Sequence, residues 1–563
     1  MPGVSPALAR SKPGQWLLEF EIGRVLRFAE RAVDIETRDG EILHFSAGLA
    51  PFTLGTSVGG EASIGFAIDA GEAVRASALN WAALVAEGID LEERSGTLYR
   101  HFEGQLLEEC RVWLKGRTKG AEYGGEDQPT SHLSISLERR PTKGNTVPGP
   151  QERADLITWP VNAGATLDDA INGAAYPIII GAPGHSPTGV PDPAVPVLFV
   201  EVQAAGNDDR LLIATGRVEA DEIQLYDASN SPALTTRREV KVMQDNLGRT
   251  VSYVDLMPPF ALAATEGAKY YAGFQANSSI YGGGTIDPRT GRMVRGLVDV
   301  IEFMLVKNGT PVDFGRMAAL RSRWNSMYFD SFINTPVNAY DWLRSEILSL
   351  VNLVEREGDL GLYYGAEIWD ANEQDVTVRF DVDLGAWRQT APLVLRRQGE
   401  IYNEFTIEYR PYLTSGRFLS RRILTGTSGV LGDAGDAGVG TDSRVIADLR
   451  CALSQRRFRT ALDRSGVRPA PPIRAASVRD DATAVRILKD RAARDALPKR
   501  VTQVTAGPEA EWVEEGAIGL LINSAAGLGG NICRVDNVTV GDGLTVCDLT
   551  LLDDPIQTPR LTG

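Results

Sequence analysis

Three aspartates in a glycine-rich run are the first residues that could do chemistry: Asp433, Asp436 and Asp442 in GVLGDAGDAGVGTDS, residues 429–443. Carboxylate oxygens on a pliable backbone suit calcium. The spacing does not. Counted from Asp433, an EF-hand needs acidic or amide side chains at the third and fifth positions and Glu at the twelfth. The chain has Gly435, Ala437 and Arg444 there. The nonapeptide calcium motif works by stacking several copies, and one is present. With so little side-chain bulk the stretch cannot recover its ordering entropy by burial. It reads as a flexible loop, to be ordered against a neighbouring subunit if at all, and no metal is expected.

Other candidates are sparse. The chain has four histidines, His44, His101, His132 and His185, and no HExxH, CxxC or GxxxxGK[ST] pattern. GHSPTG around His185 lacks GxSxG spacing and the strand-turn-helix context of a nucleophile elbow. Tyr281-Gly-Gly-Gly284 reads as a turn rather than a phosphate cradle. Asp69, Glu108, Glu109, Glu367 and Asp370 could converge on a glycosidase pair, but sequence spacing cannot place two carboxyls at the required separation. Trp324, Tyr328, Phe329 and Phe332 read as a core or domain junction. No catalytic residue and no cofactor site is therefore expected.

The elements that would have to position such residues are mostly strands. The chain has 563 residues, 43% hydrophobic and 23% charged, with 58 glycines and 30 prolines. That is enough for several cores joined by many turns. VDIETRDGEILHF alternates on both sides of Asp39-Gly40, a hairpin signal. NWAALVAEGI (80–89) is a short helix, and Leu133, Ile135 and Leu137 alternate in SHLSISLERR. Residues 141–153 read as a linker and 181–196 as a second proline-rich loop. In GLVDVIEFMLVKNG, Val298, Ile301 and Leu305 stand at helical spacing before an Asn308-Gly309 stop, and Asp313 caps the helix that follows. Leu343, Ile347, Leu350, Val351 and Val354 form a stripe that predicts one long helix over 338–357. VTVRFDVDL and NEFTIEYRPYL return to strands. Asp480 or Asp481 caps a helix with Val485, Leu488, Ala492 and Ala496 on its inner face, stopped by Pro498.

The fold class is α+β, multidomain and β-rich: two barrel-like strand-rich units, N- and C-terminal, around a mixed α/β centre. The boundaries are 1–145 for the first barrel, 155–292 for a β-rich middle domain, 293–400 for an α/β domain and 401–563 for the closing barrel. In the final hairpin, Val540 facing Leu544 puts Cys533 opposite Leu551 and Cys547 opposite Asn537. These cysteines share a face but stand too far apart to bridge. Both read as buried free thiols, hence synthesis in a reducing cytoplasm, while Cys110 and Cys451 stand isolated in the sequence. The N-terminus lacks the apolar stretch of a signal peptide, and the apolar runs are far shorter than the ~20 residues of a spanning helix, so no stable membrane insertion is expected.

The net charge is −16, which disfavours wrapping nucleic acid. From Arg444 to Arg500 there are fifteen Lys and Arg against six Asp and Glu, a local charge of +9 that leaves −25 on the rest. That basic segment reads as a solvated face or an intersubunit ion-pair surface, with nucleic-acid contact as the alternative.

Three stretches carry a family resemblance: GQLLEECRVWLKGRTKGAEYGGEDQPTSHLSISLERR (104–140), LVDVIEFMLVKNGTPVDFGRM (297–317), and DDATAVRILKDRAARDALP followed by the closing strands. In these the chain resembles the tail-hub (baseplate hub) proteins of long-tailed bacteriophages and phage-like gene transfer agents. The resemblance implies a homotrimer, two barrels per subunit making a pseudo-sixfold ring. That ring would join a distal tail or tail tube protein to a central spike or fibre protein in the virion. It would be assembled in the host cytoplasm, its acidic walls letting DNA pass without specific binding. The proline-rich middle departs from the pattern. The alternatives are a tail-associated carbohydrate-binding or glycoside-hydrolysing protein and a free-standing cytoplasmic enzyme.

Overall fold

The computed structural model describes residues 14–50, 54–57, 63–69, 87–123, 132–139, 145–155, 157–160, 166–167, 173–202, 209–227, 233–256, 270–276, 282–358, 360–396, 401–412, 416–427, 439–541 and 543–552. The expected helix over 80–89 falls largely outside them, as does 429–438 of the Asp-Gly loop. The protein is β-rich with five helices among the described residues, an α+β chain of more than one domain. It divides into two compact units. One comprises Met1–Pro141, Val354–Gln398 and Pro498–Gly563, the other Thr142–Leu353 and Gly399–Leu497. Residues 401–497, read from the sequence as part of the closing barrel, thus fall in the second unit. The physical reason is that strand Phe405–Tyr412 pairs with Arg417–Thr425 and Ile473–Ala475 in a separate four-stranded sheet.

In the first unit, nine strands precede residue 141: β1 (Gln15–Glu21), β2 (Val25–Ala29), β3 (Val33–Glu36), β4 (Ile42–Ala47), β5 (Leu54–Ser57), β6 (Ser63–Asp69), β7 (Ser95–His101), β8 (Arg111–Tyr123) and β9 (His132–Arg139). Eight form a sheet in the order β3-β4-β2-β1-β7-β8-β9-β6. A bridge between Leu49 and Ile68 ties the chain leaving β4 to β6, so the sheet curls back on itself. The hairpin expected around Asp39-Gly40 forms as β3–β4. Strand β1 is buried on both faces. Trp16, Leu18 and Phe20 point into the main core with Leu133, Ile135 and Leu137. Leu17 packs instead with Ala29, Ile35, Leu43 and Phe45, where the β3–β4 hairpin supplies a second small core.

The same unit holds β10 (Val378–Asp381), β11 (Arg388–Arg396), β12 (Lys499–Ala506), β13 (Ile518–Asn523), β14 (Leu528–Gly541) and β15 (Leu544–Leu551). Their order is β10-β13-β14-β15-β12-β11. The two edge strands are consecutive in the chain. Phe380 and Trp387 meet edge to face at 4.8 Å across their short connection, and Asn523 donates to Gln389 at 2.5 Å, so this sheet also rolls into a barrel-like form. β5 leaves the first sheet's sequence and pairs with residues 537–540 of β14. One apolar cluster then runs through both sheets, from Trp16, Leu18 and Phe20 to Phe380, Val504, Val535 and Val538. Each such side chain contributes about 1.5–3 kcal/mol on burial.

The cysteine register holds in part. Cys533 does face Leu551, but a bulge at Asp536 shifts the pairing, so Cys547 faces Val538 rather than Asn537. All four cysteines are free and buried. Burial pushes the Cys110 and Cys547 thiols up to about 12. Native protein is therefore expected to take up almost no maleimide near neutral pH, and four equivalents once unfolded, counted by mass spectrometry.

The second unit contains every described helix: α1 (Leu297–Lys307), α2 (Phe314–Trp324), α3 (Ala339–Glu346), α4 (Leu449–Phe458) and α5 (Asp481–Asp495). None is long and apolar enough to cross a membrane. α1 buries Val298, Ile301 and Leu305 and stops at Asn308-Gly309. The Asp313 carboxylate accepts from Arg316 N at the start of α2. Asp480, the earlier of the two expected caps, accepts from Thr483 N. Leu488, Ala492 and Ala496 are buried as expected, together with Ala484 and Ile487, whereas Val485 is only half-buried.

The long helix over 338–357 does not form. α3 ends at Glu346, a 3-10 turn covers Leu348–Leu350, and Leu353–Gly358 is a strand paired with Gly361–Ala366. All five residues of the predicted stripe are buried nonetheless. Three kinds of backbone bury what the spacing assigned to one. Ser349 Oγ donates to Ser345 O at 2.6 Å, local competition that weakens a helix, and the β-branched Val351 and Val354 suit a strand.

The middle sheet, built on Val195–Val202, Asp209–Thr215 and Thr250–Leu256, packs its own core of Leu211, Ile213, Val254 and Phe274. Of the expected linker 141–153, Thr146–Val147 pairs with Val337–Asn338 and Arg153–Ala154 with Ala174–Ala175, so the described part is tied down by strand pairing.

Candidate functional site

Two buried charge networks, one in each unit, organise the molecule. In the first unit Arg100, on β7, reaches Glu511 beyond the 3-10 turn Pro508–Ala510. Its Nε donates to Glu511 Oε2 and its Nη2 to Oε1, both at 2.7 Å. Both side chains are almost wholly buried. The Arg100 guanidinium lies 4.6 Å from the Trp16 ring centre. Arg111, on β8, lies 3.9 Å over Trp113 and donates to the Glu511 carbonyl. Trp16 and Trp113 meet edge to face at 5.5 Å. A two-pronged Arg–carboxylate pair fixes direction as well as distance. It locks the N-terminal strands to the C-terminal ones.

The second network surrounds the proline-rich loop 181–196. The sequence reads this as an ordinary loop; in the structure its first half and its return are largely buried. Asp330 accepts from Ala182 N at 2.7 Å and from Arg295 Nε at 2.8 Å. Asp192 accepts from Arg410 Nη2 at 3.0 Å and Arg479 Nη1 at 3.2 Å. Arg479 also donates to Pro411 O, and Arg410 to Ser186 Oγ and Ser420 Oγ. Ser186 and Gln275 exchange two hydrogen bonds. Burial pulls the Arg479 pKa down despite Asp192. Gly181 makes the geometry possible. Its φ is +64°, and a Cβ would lie 2.2 Å from the Phe329 carbonyl.

The histidines and carboxylates singled out in the sequence are scattered among local structural roles. His44 pairs with Asp34 at 2.7 Å in the open. His101 is buried, and burial holds its imidazole below the ordinary value. His185 is half-buried in loop 181–196 and is likewise lowered by burial; the Ser186 hydroxyl beside it in sequence meets Thr188 and Arg410. Asp69 and His132 are register partners between β6 and β9. Glu108 accepts from Arg38 N and Glu109 from Leu106 N. Glu367 accepts from Arg534 at 3.0 Å, whose guanidinium stacks on Trp369; Asp370 is exposed. Among the described residues no group of three or more His, Cys, Asp or Glu has the spacing to hold a metal.

No protein-family model and no curated protein matches the chain. Among solved structures it is similar to a chain of the virion of a native gene transfer agent (GTA) particle. That match has 12% identity and a TM-score of 0.34, over 72% of this chain and 89% of that one. It is also similar to a chain of the phage P2 baseplate in its activated conformation with Ca, at 10% identity and a TM-score of 0.14, covering 68% and 89%. A topological model of the p2 virion baseplate in activated conformation gives 8% identity and a TM-score of 0.13, covering 67% and 89%.

The aromatic residues 324–332 divide between core and network. Trp324 and Phe329 are buried, Phe332 packs against the middle core, and Tyr328 receives the Arg295 guanidinium at 4.5 Å. The Arg–Asp network itself draws on residues 192, 295, 330, 410 and 479, and no spacing rule links positions so far apart.

Proposed function

We propose that the chain is a structural component of a phage tail tip: a baseplate hub ring that joins the tail tube to a central spike or fibre and lets DNA pass. The observation that carries this reading is the barrel pair. Two rolled sheets, one of N-terminal strands and one of strands from 378–396 and 499–551, share one apolar core and are pinned by a buried ion pair. Three copies of such a pair present six similar modules to a sixfold tube and three equivalent chains to a threefold spike. Obligate contacts of this kind commonly bury more than about 2,000 Å², which calls for broad faces rather than a pocket. The charge of −16 suits the wall of a channel that must not retain phosphate.

Its partners are two further copies, a distal tail or tail tube protein and a spike or fibre protein, within the virion. It works without catalysis, metal or cofactor. Purified protein, alone or with a tail-tube partner, is expected to give mass-photometry species at multiples of three copies. A strictly monomeric protein in the presence of assembled tails overturns the reading.

A further inference from the structure

The stretch 449–468 of the basic segment found in the sequence becomes a shaped surface in the second unit. α4 is held from beneath by polar contacts. Its Asp448 cap accepts from Arg450 N and Cys451 N, Gln455 donates to Asn403 O and Thr425 Oγ1, and Ser454 accepts from Asn403. Its outer side carries Leu449, 62% exposed, with Arg456 and Arg457 open to solvent. Residues 459–465 then form a loop in which every side chain is exposed.

This loop is nevertheless tightly built. Asp463 accepts from Ser465 N, Ser465 Oγ and Gly466 N, and Thr460 N donates back to Asp463 O. Gly466 has φ +63°, and a Cβ there would sit 2.1 Å from the Gln455 carbonyl. Arg468 closes the loop, its guanidinium 4.1 Å over Phe458 and its N–H on Asn403. At the tip stands Leu462, fully exposed at 101%. Arg456, Arg457, Arg459 and Arg464 surround it in sequence, and the described residues give these four no ion partner. Asp463 is spent on the turn.

A preorganised loop that presents a bare leucine among unpaired arginines has the makings of an interface anchor. Arginine is enriched and lysine depleted at such contacts, and rigidity lowers the ordering cost of binding. We propose that this arginine knuckle docks onto an acidic face of a second copy of the chain, Leu462 at its centre. The occupant follows from charge. Residues 444–500 carry +9 while the remainder carries −25, so a neighbouring copy brings the complementary sign. The same −25 repels a phosphate backbone at long range, and an apolar tip gains nothing from phosphates. The inference rests on the hub reading, and its test separates the two.

The test compares wild type with the triple variant Arg459→Ser, Leu462→Ser, Arg464→Ser by sedimentation velocity at low and high salt. These side chains are solvent-exposed, so the thermal midpoint should hold. Wild type should be trimeric and loosen as salt rises; the variant should need about tenfold more protein or greater to assemble. A trimer that forms equally well in both proteins overturns the knuckle and leaves the hub reading standing; a wild type that stays monomeric overturns both. Leu462→Cys carrying a photocrosslinker, in mixed isotope-labelled and unlabelled protein, should join two copies through an Asp/Glu-bearing peptide. Crosslinks confined to one copy overturn the proposal. So does retention of fluorescent DNA by wild type but not by the variant with assembly unchanged, which would make the knuckle a nucleic-acid contact.

Discussion

Replacing Asp192 by alanine should destabilise the second unit by about 3–5 kcal/mol, the range for removing one partner of a buried ion pair. The carboxylate faces two guanidiniums, from Arg410 and Arg479, and the Arg479 side chain is 2% exposed. Without Asp192 both cations stay buried without the carboxylate they share, and the Asp330 carboxylate that also acts on Arg479 is already held by Arg295. Arg410 also sits at φ +59°, a backbone state that costs of order 1–3 kcal/mol in a residue other than glycine. The contacts of its side chain help to hold it there. Asp192→Asn keeps an acceptor and loses the charge, so it should fall between wild type and Asp192→Ala. Removing a cation as well, in Asp192→Ala with Arg479→Met, should recover part of the loss. The unit is one of two, so the measurement is hydrogen exchange across 178–196 and 405–425 rather than a single melting point. Protection unchanged in Asp192→Ala would show that the network contributes little.

Glu511→Ala should have a comparable effect on the first unit, by the same loss of a buried partner. Arg100 would then lie against Trp16 with its two-pronged acceptor gone, while Arg111 would keep its contacts with the backbone carbonyls of Glu511 and Val513. The expected loss is again about 3–5 kcal/mol. Replacing both partners by apolar residues of similar volume, Arg100→Met with Glu511→Leu, is the informative contrast. Such exchanges are often neutral or stabilising by about 1–4 kcal/mol. If the double variant is as stable as wild type by urea denaturation while Glu511→Ala is not, the pair serves orientation rather than stability. A Glu511→Ala protein with unchanged midpoint would remove the pair from any role in joining the strands.

The sequence made some of this visible and hid the rest. Alternation in SHLSISLERR and in the β3–β4 hairpin, and helical spacing in 481–495, were legible because one face of each element is buried and the other is wet; 297–307, buried on almost every side, was legible by its spacing and its Asn308-Gly309 stop. Caps at Asp313 and Asp480 were legible because a short acidic side chain before an apolar run has one good use. The stripe over 338–357 misled, since burial at helical spacing arises equally from a helix, a tight turn and a strand in succession. The bulge at Asp536 escaped because one extra residue in a ladder leaves the composition unchanged. The Arg–Asp network was illegible in principle. Its members lie up to 287 positions apart, as Asp192 and Arg479 show, and each alone looks like an ordinary surface charge. The burial of loop 181–196 was hidden by its prolines and glycines, which signal a turn without saying whether the turn is covered.

The first unit is discontinuous, completed only when Pro498–Gly563 joins Met1–Pro141, and this governs how the chain can be made. A ribosome adding about 5–20 residues per second needs on the order of half a minute to travel between those segments. Through that interval the nascent N-terminal strands lack the C-terminal strands that share their core, and are a natural client for chaperones. A product lacking residues 498–563 would keep an unsealed apolar face, a target for degradation.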